Sequence, residues 1–566
     1  MAIQKFFLVG EDPKTALDIE VNPSMEYKTL QSGIATQYHI CEAKGIAFQN
    51  DEGPLDSVES ILDSRSPVGI TVDGQAVKSP SGPEGFPFVG SFYEIFPDHL
   101  GNHARLFRKY GSVIKTTNLG KTTYLTDSPE VAAHALSESI YFTKLINSSH
   151  PLWGVKDNTA IFVNDTETEN WRLAHKFLPP ALSPKAVRHY TPLMSSTARA
   201  SFPVFDELDQ RGEAWSVYHY MLKLASQTIG KLTLDLDLGQ FSSPEAPLHP
   251  IVTSIAEYLH LNKRVTSRGE WYRYLPFGDG AKLRHVQQEV YSIIQSAMDD
   301  CKATSLASGE KTDLPINDAA LSARCVLDYI LRAVDEKGEK LPEELVIGNM
   351  MIMTGAGFTT TSSLLSWLLY SLVTYEGNQD RLLQELVDNG ITNSTIWDPD
   401  LANTLPFLDK FIKETQRLHN PSYQPGRTTK QEVIVPGGYR LPKDAVIISA
   451  IHAIHTNPNV WSNPLRFDPD RWDTDEVKKR HRCAYIPFAT GPRGCIGFNF
   501  ALQEVKVIVS ELVYRYEFSR EDRDAIEYDP EFQLIRPLNL YLRAKRRTTW
   551  PEPTPGSKAA QVAARL

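Results

Sequence analysis

The sequence has little of what would make it a secreted, membrane-spanning or nucleic-acid-binding protein. Cysteine is scarce: Cys41, Cys301, Cys325, Cys483 and Cys495 in 566 residues, an odd total with no C-x-x-C spacing. That argues against a disulfide scaffold or a zinc site and fits a reducing compartment. No run reaches the roughly 18 apolar residues that a membrane span needs, and the N-terminus lacks the apolar region of a signal peptide. The expectation is a chain with no transmembrane segment, cytoplasmic and at most peripheral to a membrane. Positive charge is in deficit, with 59 Lys and Arg against 69 Asp and Glu. The net charge of −10 argues against non-specific binding to nucleic acid, which needs basic surface to displace phosphate counterions. No G-x-G-x-x-G follows a predicted strand, which leaves no dinucleotide-binding motif. Internal repeats are absent.

What is present is apolar content sufficient for a large core, 41% of the chain, and one cysteine set apart by its neighbours. Residues 488–497 read FATGPRGCIG. A soft, anionic sulfur is a suitable axial ligand for haem iron and donates electron density that favours O–O cleavage. A thiolate stays ionised only where backbone N–H groups are aimed at it, and Gly491, Gly494 and Gly497 permit that close approach. Arg493 stands two residues before the sulfur, placed for a charge-assisted bond to a haem propionate, and Phe488 can shield the sulfur from water. A buried structural cysteine in a glycine-rich turn would require none of these companions.

Phe488, Gly491, Arg493, Cys495 and Gly497 match the pattern F-x-x-G-x-R-x-C-x-G, and through it the chain resembles a cytochrome P-450. The resemblance implies a mainly α fold with small β-sheets and haem b (iron protoporphyrin IX) as cofactor, with Cys495 as the metal ligand and Phe488, Arg493 and Gly497 among the cofactor contacts. Three further motifs follow the family's order. Phe407, Leu408, Phe411, Ile412 and Leu418 form an apolar stripe at helical spacing, on a helix that sets Glu414 and Arg417 at i and i+3. Alone that spacing describes any surface ion pair. With Arg471, in the segment from Phe467 to Trp472, it resembles the family's structural Glu–Arg–Arg cluster.

The second motif lies on a long apolar helix expected over about 344–375 and interrupted near 354–361. Ala356, Gly357, Thr360 and Thr361 match the oxygen-binding segment A/G-G-x-D/E-T-T/S. Small residues there allow a flat cofactor to approach the backbone. The acidic position, however, is Thr359. The resemblance implies that Thr360, with Thr359, manages protons for dioxygen, through hydroxyls and water because the carboxylate is missing. The third motif, Trp171 followed by His175, resembles W-x-x-x-R with histidine in place of arginine, implying two propionate contacts; Arg427 is a further one. Substrate walls are expected, by family position only, at 139–168, Met353, Ala356, 422–425 and 533–535.

The resemblance covers about 79–546. Before it, strands are expected at 3–9, 16–21, 45–49 and 69–72, with a helix from about 23 to 40, giving a small α+β domain over 1–78 similar to a β-grasp, the ubiquitin-like fold. It reads either as a stabilising extension packed on the catalytic domain or as a docking module. The tail 547–566, with three prolines and several alanines, reads as disordered. Only 71 residues follow Cys495, too few for a flavin reductase domain, so electrons are expected from a separate partner, an NADPH-dependent flavoprotein reductase, or from peroxide. Arg172, Lys176, Lys185 and Arg188 form a candidate basic docking patch. The implied activity is monooxygenation of a small, apolar or secondary-metabolite substrate. The missing acid motivates an alternative, haem-thiolate chemistry without oxygen insertion (oxidative coupling, peroxide isomerisation or dehydration, nitric-oxide reduction); a non-catalytic haem sensor is a third reading.

Overall fold

The computed structural model describes residues 2–563, apart from 269, 310, 423, 523 and 531. The chain divides into two compact units: Met1–His150, Gln424–Asn457 and His481–Arg493 form one, and Pro151–Tyr423, Pro458–Arg480 and Gly494–Leu566 the other.

The first unit begins with β1 (Ala2–Leu8), β2 (Leu17–Val21), helix α1 (Tyr27–Gln37), β3 (Ile46–Asn50), β4 (Gly53–Leu55) and β5 (Val68–Val72). The strands lie in the order β2-β1-β5-β3-β4, with β5 parallel to β1 and the other neighbours antiparallel. Alternation decides which side chains go inward: Phe6, Leu8, Phe48 and Ile70 are buried in one cluster with Leu30 and Ile34 of α1. Phe6 and Phe48 meet edge to face at 5.6 Å. A turn at Asp73 and Gly74 follows β5, with both residues at positive φ (52° and 69°).

The same core contains Ile434, which comes from a hairpin of Val433–Val435 with Tyr439–Leu441. Backbone bonds tie the two segments. Cys41 N donates to Ile434 O (3.0 Å), Ile434 N to His39 O (2.9 Å), Lys78 N to Gly438 O (2.9 Å) and Arg440 N to Lys78 O (2.9 Å). Gly437 N donates to the Asp73 carboxylate at 2.8 Å. A second five-stranded sheet runs in the order Val113–Asn118, Lys121–Thr126, Val446–Ser449, Gly426–Thr429, Phe142–Thr143. Its antiparallel register pairs Thr428 with Thr143, which carries the chain on to Lys144 beside Arg427.

The second unit is mainly helical. Helix Glu343–Thr374 packs along helix Val217–Leu234. Gly357 sets that spacing, since a Cβ on it would lie 2.9 Å from Ile229 Cδ1; Gly355 faces a third helix, Pro250–Thr266, where its Cβ would lie 2.9 Å from Ile255 Cγ2. The helix is continuous where the sequence predicts an interruption. The hydroxyls donate to carbonyls one turn back, Thr359 to Gly355 O at 2.6 Å and Thr360 to Ala356 O at 2.7 Å, which leaves the ladder intact.

The tail also differs from expectation. Trp550 stacks on Tyr514 at 5.5 Å and its indole N–H donates to Tyr514 O at 2.9 Å; Thr554 N donates to Asp388 at 2.7 Å. Lys558–Ala563 is helical. Proline-rich composition described the chain's lack of ladders, not the aromatic and polar anchors that hold it. Among the described residues no helix is long and apolar enough to cross a membrane.

Candidate active site

The ion-pair cluster is built as its spacing implies. Helix Pro406–Leu418 turns Glu414 and Arg417 inward, both 0% exposed. Arg417 donates to both carboxylate oxygens of Glu414, at 3.0 and 2.9 Å. Arg471 Nε (3.2 Å), Asp468 N (2.9 Å) and Trp472 Nε1 (3.1 Å) complete the set of donors. The remaining guanidinium hydrogens go to main-chain oxygens: Arg417 to Pro464 (2.6 Å) and Arg466 (3.1 Å), Arg471 to Ser462 (2.7 Å). Such pairs repay desolvation only when every donor finds an acceptor, and this one pins 462–472 to the helix.

Cys495 and helix Phe498–Arg515 belong to the second unit. Burial pushes the Cys495 thiol up, and the Gly497 N–H pulls in the opposite direction. The residue retains accessible surface although enough protein surrounds it for desolvation to dominate. The positive end of a helix dipole also favours an anion there. Gly497 sits at φ −92°, and a Cβ on it would make only an ordinary contact, 3.9 Å, with the sulfur; its contribution is the N–H. Gly491 is different. At φ +76°, with a Cβ position 2.1 Å from Leu136 O, no other residue fits.

In the first unit, Arg427 lies on strand Gly426–Thr429, 3% exposed. Its Nε is 2.5 Å from Glu138 Oε1 and Nη1 donates to Gly426 O at 2.8 Å; Nη2 is buried with no hydrogen-bond acceptor among the described residues. His150, also buried, is held well below its usual pKa first by burial and then by Lys144, Arg427 and Arg493. Three cations thus converge on a neutral imidazole, with Glu138 the carboxylate in contact with Arg427. This cluster of positive charge suits the propionates of a haem; within the second unit, the Cys495 sulfur suits haem iron. Glu138, Lys144 and His150 were not singled out from sequence. No local pattern marks them, because the pairing of Thr143 with Thr428 brings them to Arg427 across nearly 300 positions.

The other expected residues fall as follows. Trp171 and His175 stack at 4.6 Å on helix Glu169–Phe177, both half-buried. Ala356 is exposed and Thr360 half-buried on one face of the long helix, whereas Thr359 is buried and turned to Gly355. Gly357 is packed against Ile229, so its smallness serves helix packing. Phe488 is half-buried and precedes Ala489, at φ 57°. Of the substrate-wall segments, Tyr423 lies outside the described residues; Gln533 accepts from Asn262 Nδ2 at 2.9 Å, and Ile535 O accepts from Trp367 Nε1 at 3.2 Å. The basic patch is largely spent within the chain. Arg172 pairs with Glu169, Lys176 with Asp335 and Glu336, and Arg188 with Asp400.

Comparisons with known proteins agree with this chemistry. The Cytochrome P450 family model matches residues 80–543. The chain is 50% identical over 556 residues to Cytochrome P450 monooxygenase alnD of Emericella nidulans, covering 98% of this chain and 100% of that one. It is 29% identical to Cytochrome P450 4F5 of Rattus norvegicus, over 67% of this chain and 73% of the relative. The crystal structure of the cytochrome P450DA heme domain shares the fold, with a TM-score of 0.71 over 83% of this chain and 98% of that chain at 23% identity. The chain belongs to the cytochrome P450 family and is a monooxygenase with haem b as its cofactor.

Proposed function

We propose that the protein oxidises a small, apolar secondary metabolite with dioxygen, using electrons delivered by a separate NADPH-dependent flavoprotein. The observation that carries this reading is the match to a monooxygenase over the whole length of that relative and 98% of this chain, more than the 80–543 that the family model reaches. Haem, when bound through a thiolate, supplies the oxygen-activating chemistry. The chain's own residues do the rest. Cys495 is the proposed ligand, its negative charge supported by the Gly497 N–H. Arg427 and Arg493 are the proposed propionate partners, with Trp171 and His175. Glu414, Arg417 and Arg471 fix the segment that leads towards the ligand loop.

Proton handling falls to Thr360. Its hydroxyl donates to Ala356 O, so its lone pairs accept from a bound water or substrate without breaking the helix. Thr359, facing the interior, leaves the acid position without a side chain on that face. Met353, half-buried on the same helix, and the exposed Ala356 give the substrate an apolar wall.

The N-terminal 78 residues we infer to be a β-grasp, ubiquitin-like module with a structural role. The order β2-β1-β5-β3-β4 with β1 and β5 parallel supports the fold, and Ile434 in its core supports the role. Titration of ferric holoprotein with a varied metabolite panel tests the function. Saturable low-to-high-spin conversion names a ligand class, and turnover of that ligand under heavy-isotope dioxygen must label the product. An unlabelled product refutes oxygen insertion and favours the coupling or isomerase alternative.

A further inference from the structure

Two of the chain's cysteines meet in the second unit, away from Cys495. Cys301 lies on helix Gly278–Ser308, and Cys325 stands at the N-terminal cap of helix Val326–Arg332, which packs beside it. One residue joins the two sulfurs. Asp328 N donates to Cys325 Sγ at 3.4 Å, and Asp328 Oδ1 is 4.0 Å from Cys301 Sγ. The thiols also face each other, with Cys325 donating a hydrogen bond to Cys301.

The surroundings of the two sulfurs differ. Arg324 Nη2 donates to Cys301 Sγ at 3.8 Å. The Asp328 carboxylate is already taken up: Arg332 Nη1 donates to it at 3.1 Å, Arg324 N at 3.0 Å and Ser305 Oγ at 3.2 Å. Donors aimed at a sulfur favour the thiolate, the form that attacks an oxidant. The hydrogen bond from Cys325, helped by the Arg324 guanidinium, holds the Cys301 thiol below its usual value against burial and Asp328. Cys325, which gives that bond and lies deeper, is pushed up, and burial pushes Cys41 and Cys483 up too. Access differs in the same sense. Cys301 is 6% exposed beside the half-buried Ser305 and Arg324, whereas Cys325 is 0% exposed. Cys301 therefore keeps a contact with solvent that Cys325 lacks.

We propose that Cys301 and Cys325 are a redox-modification site, an attacking and a resolving thiol that hydrogen peroxide converts to a disulfide bridging the two helices. The Cys301 thiolate attacks one peroxide oxygen, and the O–O bond breaks. Cys301 becomes a sulfenic acid, and the hydroxide released takes up one proton to leave as water. The Cys325 sulfur then attacks the Cys301 sulfur. The S–O bond breaks, and the hydroxyl leaves with the Cys325 proton as a second water. The two thiols lose two electrons, and one peroxide becomes two waters. A monooxygenase supplies this oxidant whenever reduced dioxygen departs before it enters a product, so the bridge forms in step with unproductive turnover. The substrate takes no part in it.

Mass spectrometry tests the proposal. Reduced holoprotein is treated with hydrogen peroxide at doses that leave the Soret band unchanged, free thiols are alkylated, and the digest is read. The expected result is a peptide pair joined through Cys301 and Cys325, lighter than the sum of its halves by two hydrogens and separated again by dithiothreitol. Two serine variants, close to cysteine in volume, fix the order of attack. Cys325→Ser keeps a side-chain acceptor for Asp328 N and is expected to accumulate the Cys301 sulfenic acid, captured by dimedone. Cys301→Ser is expected to give neither adduct nor bridge. Both cysteines recovered as free thiols from the wild type, or bridged to other cysteines, overturn the proposal. Dimedone on Cys325 in Cys301→Ser, with none on Cys301 in Cys325→Ser, overturns the assignment of the attacking sulfur.

Discussion

Replacing Glu414 with glutamine removes one negative charge and almost no volume, which makes it a clean probe of the ion-pair cluster. Five donors converge on this carboxylate. In Glu414→Gln, the amide NH2 must face some of them as a donor against donors, and two guanidiniums lose their counter-charge. Breaking one buried pair costs about 3–5 kcal/mol, because the surviving charge stays desolvated. Two pairs share one carboxylate, so the costs are not additive. The main-chain acceptors of both arginines survive, which holds the total near that range. Against the roughly 5–15 kcal/mol that keeps a domain folded, this is a large fraction. Thermal unfolding of holoprotein, followed together with haem release, is the assay, with Asp470→Asn as control. Asp470 pairs with Arg381, and both are about half exposed; exposed pairs contribute roughly 0–1 kcal/mol. The expected order is a small change for Asp470→Asn and a large one, with poor haem retention, for Glu414→Gln. Equal midpoints for the two variants would mean that the buried Glu414 cluster does not hold the fold together.

Gly491→Ala places a Cβ 2.1 Å from Leu136 O at φ +76°; reduced haem incorporation, read from the ratio of Soret to protein absorbance, is expected. Thr359→Asp, which restores the family's acid in sequence, puts a carboxyl in a buried site turned to Gly355 O, so it should lower the thermal midpoint and leave peroxide leakage unimproved. Ile434→Asp buries a charge in the N-terminal core, where Ile434 is 2% exposed. Even truncation of a buried aliphatic costs about 2–5 kcal/mol, and hydrogen exchange should rise across β1–β5. Glu504, on helix Phe498–Arg515, is buried, and neither of its carboxyl oxygens has a hydrogen bond of good geometry among the described residues. Burial pushes this carboxyl up to about 8, against about 4.3 in the unfolded chain, so the native state holds more protons across that interval. Stability therefore falls as pH rises from about 4 through 8, and Glu504→Gln should flatten the slope in denaturant titrations.

The proposed ligand loop could be read as a motif because its constraints are local. Gly491, Arg493 and Cys495 stand within five residues, and the close approach of Gly491 to Leu136 O is the part that the backbone geometry requires. Glu414 with Arg417 was legible as spacing, and Arg471 as a third member, although burial decides that they form a clamp and not a surface pair. The N-terminal strands were readable from alternation within a residue or two at most boundaries. Strand β4, Gly53–Leu55, was missed, since three residues containing a glycine and a proline carry no period. The orientation of Thr359 was not readable, because neighbouring helical positions differ by a rotation that only packing fixes. The cations around His150, the placement of Ile434 in the N-terminal core and the isolation of Glu504 all depend on pairings between distant segments. No window of sequence contains them.

Cys495 is proposed to deliver a thiolate to haem iron. The carbon-monoxide difference spectrum of reduced holoprotein tests it most directly, taken for the wild type and Cys495→Ser side by side. The wild type is expected to show the red-shifted thiolate Soret band, and the variant to lose it. A wild-type spectrum of the histidine-ligated kind, or a thiolate band that survives in Cys495→Ser, would contradict it.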